Sequence, residues 1–377
     1  MKAMTRKKIL VIGGGFSGMS AAIELQKKGA EVDLVEIDPE WRNYGAGISL
    51  AGATLRAFRQ LGILETFLER GSAHDTVSLR LPHGLQVGEI PTPRVAGPDV
   101  PGGGAIMRPV LAQILAEATR ATGTKVRLGC SFASLRQDAE GVDVIFTNGD
   151  QQRYDLVVGA DGLNSKVRDA VFPDAPKPRY SGQGVWRAVV PRPPEVKNAV
   201  MWIGPKVKPG VNPMSKQEMY LFITEPRPTN DHIDPATFVD HVRALLADFP
   251  APELQKISAE LGPHSQVVYR PLEQLLLPRP WFRGRVVLIG DAVHATTPHL
   301  ASGACIGIED ALVLADEIGR GADLPAALAA FEERRWERCR MVVENSGRLG
   351  EIEIAGGDKE EHARIMRESM TALAQPI

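Results

Sequence analysis

The chain has 377 residues and a formal net charge of −2: room for two domains, or for one large α/β domain with an insertion, and no charge excess pointing to nucleic acid or an anionic membrane. A hydrophobic fraction of 44% and a charged fraction of 24% are ordinary for a soluble globular protein. The basic start over 1–8 has no cleavable apolar leader, and no run is long enough to cross a bilayer. Cys130, Cys305 and Cys339 fit neither a disulfide framework nor a zinc spacing, so a reducing, cytoplasmic location and no metal site are expected.

Residues 9–12 form a short apolar run suited to a buried strand, and Gly13-Gly14-Gly15-Phe16-Ser17-Gly18 follows at once as G-x-G-x-x-G. The pattern over 19–28 predicts a helix stopped by Gly29, and 31–36 a second strand ending on Glu36. Strand, glycine turn, helix and terminal carboxylate make a β-α-β unit. Its glycines let a backbone approach a pyrophosphate, and its acid stands where a ribose hydroxyl is held. A plain glycine-rich turn is the alternative.

Residues 39–50 read as a loop through Asn43-Tyr44-Gly45-Ala46-Gly47, and 51–70 as helix interrupted at Gly62. A hairpin is predicted over 77–87 and a Pro/Gly-rich crossing loop over 91–104. Arg108-Pro109 opens a helix, and strands follow over 125–128, 132–138, 142–147 and 152–158. The last ends in Gly159-Ala160-Asp161-Gly162, a second turn with a carboxylate. Between 180 and 271 the runs resemble an antiparallel sheet, interrupted by one helix from Pro235. An apolar strand over 285–289 leads to Gly290-Asp291-Ala292-Val293-His294, then a loop over 298–303 and a helix over 304–319 carrying Glu309 and Asp310. Amphipathic helices are expected over 325–348 and 359–374. Taken singly, Asp161 and Asp291 read equally as turn or N-cap residues.

On these three motifs, in this order and spacing, the chain resembles the class A, single-component FAD-dependent monooxygenases of the p-hydroxybenzoate and salicylate hydroxylase type. The resemblance implies an α/β fold: a Rossmann-like FAD-binding domain of the GR2, p-hydroxybenzoate-hydroxylase type, an inserted antiparallel-sheet substrate domain, and C-terminal helices. It places the FAD domain at 1–72, 100–178 and 280–320, the substrate domain at 73–99 and 179–279, and the terminal helices at 321–377. It implies FAD contacts at Gly13, Gly15, Ser17, Gly18, Glu36, Ile37, Gly47, Arg108, Phe132 through its main chain, Asp291, and the loop Ala301, Ser302, Gly303, Ala304 and Cys305. Asp161 matches a motif thought to serve both FAD and the nicotinamide cofactor.

Many members carry Gly-Gln-Gly and Asn where this chain has Ala301-Ser302-Gly303 and Cys305. A Cys there resembles the branch with hydroxynicotinate and urate hydroxylases. The former carry a His where this chain has Ser49, and the latter an Arg and a Tyr nearest Lys208 and Tyr220, so the Tyr matches and the Arg does not.

The function expected from the resemblance is NADH- or NADPH-dependent hydroxylation of a small phenolic or hydroxy-N-heteroaromatic substrate with O₂, through a C4a-hydroperoxyflavin, by a monomer or homodimer. No second dinucleotide motif is present, in keeping with transient use of the reductant. Such chemistry needs water kept out and the ring made electron-rich, usually by deprotonating an OH. Tyr220 is the leading candidate for that group, on a strand where alternate residues share a face. His299 and Pro298 in the flavin loop, and Lys208, are further catalytic candidates. Arg187 is a candidate for a substrate carboxylate, Ser49 for substrate contact and Trp202 for a pocket wall. Packed, capping or surface roles are the alternative for each. A related oxygenase acting on a larger polyketide or antibiotic, and a non-oxygenating flavin-binding redox module, are the competing functions.

Overall fold

The computed structural model describes residues 7–42, 45–204 and 207–377; Asn43 and Tyr44 of the expected cofactor loop lie outside them. Five parallel strands form the first sheet, in the order Val286–Leu288, Leu156–Gly159, Lys8–Ile12, Glu31–Glu36 and Lys125–Leu128, with Phe282–Arg283 antiparallel at one edge. Helices cover both faces, so these strands are apolar along their length rather than alternating; Ile9, Leu10, Val11, Val157 and Val158 are fully buried. The chain leaves Lys8–Ile12 toward one edge of the sheet and later returns on its other side with Leu156–Gly159. That reversal opens a crevice at the carboxyl ends of the two strands.

The glycines of the first turn make it tight. Gly13 has φ +108°, and a Cβ there would lie 2.4 Å from the Ala160 carbonyl oxygen; a Cβ on Gly18 would lie 1.9 Å from that of Gly13. The turn, the helix Phe16–Lys27 and the second motif therefore pack backbone to backbone.

The second sheet has seven strands, ordered Val267–Gln274, Arg179–Pro191, Glu218–Pro226, Lys208–Pro213, Ala199–Trp202, Thr76–Arg80 and Gln86–Pro91. All neighbours are antiparallel except the pair Ala199–Trp202 and Thr76–Arg80. One face carries Trp186, Ala188, Val190, Val211, Leu221 and Ile223 and packs on the helices Phe238–Leu246 and Pro252–Glu260. Each large side chain buried there contributes roughly 1.5–3 kcal/mol. Period-two alternation then puts Arg187, Asn212, Tyr220, Phe222 and Arg270 on the opposite face. A three-stranded sheet of Gly47–Ala51, Gly103–Met107 and Ser72–His74 meets that face through the contact of Gly47 with Tyr220.

Several elements differ from the sequence reading. Gly47–Ala51 is a strand rather than the end of a loop, and Ser72–His74, given no element by the sequence, is another; each is short and completed by Gly103–Met107. The interruption expected at Gly62 within 51–70 is present: Gly52–Leu61 and Leu64–Arg70 are separated there, with Gly62 in the left-handed conformation (φ +80°). Lys208–Pro213 pairs on both edges despite its two prolines. A second helix, Pro252–Glu260, follows the expected one. The first C-terminal helix runs over Leu324–Ala355, capped by Asp323 and ended by Gly356 at φ +59°; Asp358 caps the last, Lys359–Ala374.

Candidate active site

Three strand ends meet at the crevice. Gly13 N–H donates to Val35 O at 2.9 Å, Ala160 N–H to Ile12 O at 2.8 Å, and Ile289 N–H to Gly159 O at 3.0 Å. Ser17 locks the first motif to the third. A Cβ on Gly290 would lie 2.4 Å from Ser17 Oγ and one on Gly307 2.3 Å from it, so only glycine fits at either position. Arg168, nearly fully buried, ties the second motif to the third by donating to Leu163 O at 2.9 Å and Ala292 O at 3.0 Å.

The helix Phe16–Lys27 begins with no side-chain cap and no acid in its first turn, and a Cβ on Gly15 would meet no described atom within 4 Å. Its N–H groups therefore open onto free space suited to an anion. Glu36 accepts from Gly14 N–H at 2.7 Å and Asp38 N–H at 2.9 Å, with acceptor capacity left over. Beside it, Ile37 is 74% exposed, and Cys130 N–H donates to Glu36 O at 3.0 Å, bringing the segment leading to Phe132 alongside.

Across the crevice Asp291 is exposed to the cleft but ringed by protein. That burial raises its carboxyl, against the pull of His294 and Arg108. Arg108 stacks over Phe16 at 5.7 Å. Burial lowers its guanidinium, with Asp291 opposing. The helix Gly303–Gly319 also begins without a side-chain cap or an early acid, behind Ala301 in the left-handed region (φ +48°). The helix after Asp291 is only four residues long, so of the two it is Gly303–Gly319 that carries an appreciable dipole.

A buried ion network holds the Gly290 turn. Asp310 accepts from Gly290 N–H at 2.9 Å, His294 Nε2 at 2.5 Å and Arg335 Nε at 2.8 Å. Glu309 takes Arg338 bidentately at 2.8 Å and Arg335 at 3.1 Å. Burial alone would lower His294, but the Asp310 carboxylate outweighs it and holds the imidazole protonated well above 6.5. Burial would raise Asp310, yet His294 and Arg335 bring it below 3.8. His294, Asp310 and Cys339 cluster within 4.8 Å; the Arg335 guanidinium bound to Asp310 already fills the role a cation would take there.

On the cleft-facing side of the second sheet, Tyr220 OH meets Ser49 Oγ. Asn212 Nδ2 donates to Ser49 Oγ at 2.9 Å, and Asn212 Oδ1 lies 3.0 Å from His74 Nε2. With the amide nitrogen committed to Ser49, the His74 proton belongs on Nε2, and Ser49 keeps its own proton for Tyr220. Burial raises Tyr220, against Ser49, Arg187 and Arg108. Gly47 is not open to a cofactor at its α-carbon: a Cβ there would lie 2.2 Å from the Tyr220 ring. Asn212 and His74 escaped sequence reasoning because only the strand register brings them to Ser49.

Two other candidates share one acidic partner. Lys208 pairs with Glu353 at 2.8 Å; His299 Nε2 lies 3.4 Å from the same carboxylate, and its Nδ1 is 2.9 Å from Thr297 Oγ1. Burial would raise Glu353, but His299, His362 and Lys208 leave it well below the usual carboxylate range. Lys208 and His299 thus brace the long C-terminal helix against the sheet and the flavin-side loop. Pro298 opens the half-buried turn Pro298–Leu300 and has no proton to transfer.

Trp202 is 1% exposed on the helix-packed face, opposite the cleft. Asp161 accepts from Ser165 Oγ at 2.5 Å, Lys166 N–H at 2.7 Å and Val167 N–H at 3.0 Å, so it caps the helix Lys166–Val171. Cys305 is fully buried, which pushes its thiol up and turns it from the cleft; Ser302 Oγ bonds Leu300 O at 2.7 Å and Ala304 packs on the core.

A family model described as FAD binding domain matches residues 6–346. The chain belongs to that family. The FAD-dependent urate hydroxylase of Klebsiella pneumoniae is 31% identical over 349 residues, covering 89% of this chain and 88% of that one. The aurachin C monooxygenase/isomerase of Stigmatella aurantiaca is 32% identical over 353 residues, covering 91% and 89%. The crystal structure of Klebsiella pneumoniae HpxO complexed with FAD and uric acid shares the fold with a TM-score of 0.85 at 25% identity, covering 98% of this chain and 97% of that one.

The protein is an FAD-dependent monooxygenase of the class A type, with the α/β fold of the p-hydroxybenzoate hydroxylases. The rim fits FAD: an uncluttered Gly15, two uncapped helix N-termini, and the Glu36 and Asp291 carboxylates at opposite ends of one crevice. Among the described residues no helix is long and apolar enough to cross a membrane.

Proposed function

We propose that this monooxygenase hydroxylates a small phenolic or hydroxy-N-heteroaromatic compound, using NADH or NADPH and O₂, as a cytoplasmic monomer or homodimer. Residues 1–72, 100–178 and 280–320 form the flavin-holding unit in this reading, with 73–99 and 179–279 facing the substrate and 321–377 covering them. The observation that carries it is the hydrogen-bond chain Tyr220, Ser49, Asn212 and His74 on the cleft-facing side of the sheet.

Bound FAD supplies the hydride acceptance and oxygen transfer. The helix N-termini at Gly15 and Ser302 orient it and stabilise negative charge on it. Tyr220 orients the substrate hydroxyl and takes part in moving its proton, which makes the ring electron-rich. Ser49 and Asn212 hold the Tyr220 oxygen in place. The second sheet covers the crevice and keeps water from the reacting atoms. Urate hydroxylase and HpxO, with its bound uric acid, are relatives whose ligand is a nitrogen heteroaromatic; that supports the heteroaromatic part of the reading. A screen of hydroxylated aromatics for stimulated NAD(P)H consumption, with product mass recorded, tests it. A compound gaining one oxygen is expected; NAD(P)H consumption that no aromatic stimulates would refute it.

A further inference from the structure

The cleft-facing side of the second sheet stays apolar well past Tyr220. Phe222 lies across from Gly210, and a Cβ on Gly210 would sit 2.2 Å from its ring, so the ring covers the backbone of that strand. Gly210 is paired in turn with Met201, Met201 with Leu79, and Leu79 with Gly88; beside this row, Val77 is paired with Ala199 and with Ile90. Paired residues share a face. The row therefore runs from the Tyr220 and Phe222 rings, 5.5 Å apart, through Ala199–Trp202 and Thr76–Arg80 to the edge strand Gln86–Pro91. No polar side chain interrupts it. Met201, Leu79 and Val77 are half-buried and Ile90 is 48% exposed, whereas Val200 and Trp202, which alternate with them, are buried against the helices. A solvated sheet face near an edge ordinarily carries polar residues at such positions. Gly88 ends the row, and a Cβ there would meet no described atom within 4 Å. The result is a narrow apolar trough, open at its outer end.

We infer that this trough holds an extended apolar substituent of the substrate, an alkyl chain leading away from a ring whose hydroxyl lies at Tyr220. The assignment rests on the aromatic-hydroxylase reading and narrows it to rings that carry a hydrophobic tail. Continuity decides the occupant, because the row begins at the Tyr220–Phe222 pair and is too narrow for a protein partner, which needs about 20–30 residues a side. From Gly210 to Gly88 the row crosses three strand spacings of about 4.8 Å, roughly 14 Å in all. A tail of that length buries its methylenes on Met201, Leu79 and Val77 and points the ring back toward the flavin rim. Leu79 and Gly88 are specificity-determining residues for the length of the tail.

The test is spectral titration of the FAD-loaded protein with phenol and its 4-methyl, 4-butyl, 4-octyl and 4-dodecyl derivatives, with NAD(P)H consumption and product mass recorded for each. Affinity should rise by up to roughly fourfold per methylene and level off once the chain reaches the sheet edge. Gly88→Phe fills the outer end of the trough, on an exposed strand that accepts an aromatic residue, and should stop the rise at a shorter chain. Leu79→Gln should cut the gain from butyl to octyl by roughly tenfold. Flavin content and melting temperature check that each variant is folded. Affinity that does not depend on chain length, no binding of any tailed phenol, or a rise that both variants leave intact would overturn the assignment. The two readings fail separately. A chain-length dependence that Gly88→Phe truncates, without stimulated NAD(P)H oxidation or oxygenated product, leaves the trough standing and removes the hydroxylase reading. Equal affinity and equal hydroxylation for phenol and its tailed derivatives removes the trough alone.

Discussion

Gly15→Ala separates a ligand effect from a folding effect. Gly15 has φ −75° and ψ −177°, which alanine adopts without strain, and its Cβ meets no described atom within 4 Å. The apo-protein should be unharmed, or gain up to about 1 kcal/mol from a less flexible unfolded chain. The added methyl instead occupies the space through which a pyrophosphate approaches the helix N-terminus. Displacing two charge-assisted hydrogen bonds at about 1.5 kcal/mol each costs about 3 kcal/mol, roughly a 150-fold weaker Kd for FAD. Gly18→Ala is the contrast: its Cβ would lie 1.9 Å from Gly13 O, so the fold itself should lose about 1–3 kcal/mol or more. Flavin-fluorescence titration of the apo-protein, with thermal melts of apo and loaded forms, reads both quantities. Wild-type FAD affinity in Gly15→Ala, or an apo melt as low as that of Gly18→Ala, would refute the reasoning.

Asp291→Ala should lose FAD affinity or turnover, checked by flavin content and NAD(P)H oxidation; unchanged activity would contradict its place on the rim. Tyr220→Phe keeps the ring against Gly47 and deletes only the hydroxyl. Hydroxylation should fall about 10²- to 10⁴-fold while FAD binding changes little, and peroxide release per NAD(P)H should rise; equal loss of hydroxylation and flavin binding would mark a structural role. The His294–Asp310 pair sets a pH dependence. The raised His294 contributes stability that is complete below 6.5 and lost as pH rises through its folded value, while the lowered Asp310 contributes above 3.8 and is lost in stronger acid. Wild-type melting temperature should therefore decline on the alkaline side. Asp310→Asn, which strands Arg335 and His294, should be less stable by roughly 3–5 kcal/mol and show a flatter alkaline slope; an identical slope in melts from pH 6 to 10 would argue against the pair.

What could be read in advance was local. The first β-α-β unit carries its strand, turn, helix and terminal acid within thirty residues, and each is where the spacing places it. The three glycine turns lie at strand ends, so their meeting on one rim follows from a parallel sheet. The substrate side resisted because register decides it. Pro209, Gly210 and Pro213 argue against a strand, yet Lys208–Pro213 forms one, since pairing on both edges and the burial of Val211 outweigh local preference. One residue of slip exchanges the faces, so Trp202 fell on the wrong side of the reading and Asn212 was missed. Asp161 and Asp291 look alike as letters. Only the donors around them show that the first caps a helix while the second stays open to the cleft. Lys208 and His299 have the chemistry of catalytic groups, but Glu353, far along the chain, claims both.

The most direct measurement of the central claim is turnover of the FAD-loaded protein under ¹⁸O₂ with NAD(P)H and a small phenolic or hydroxy-N-heteroaromatic compound, followed by mass analysis of the product. A flavin seated on this rim beneath a sheet that holds the ring at Tyr220 should place one labelled oxygen atom in the product. Reduced flavin that yields only labelled peroxide with every aromatic tried, and an unchanged ring, would contradict it.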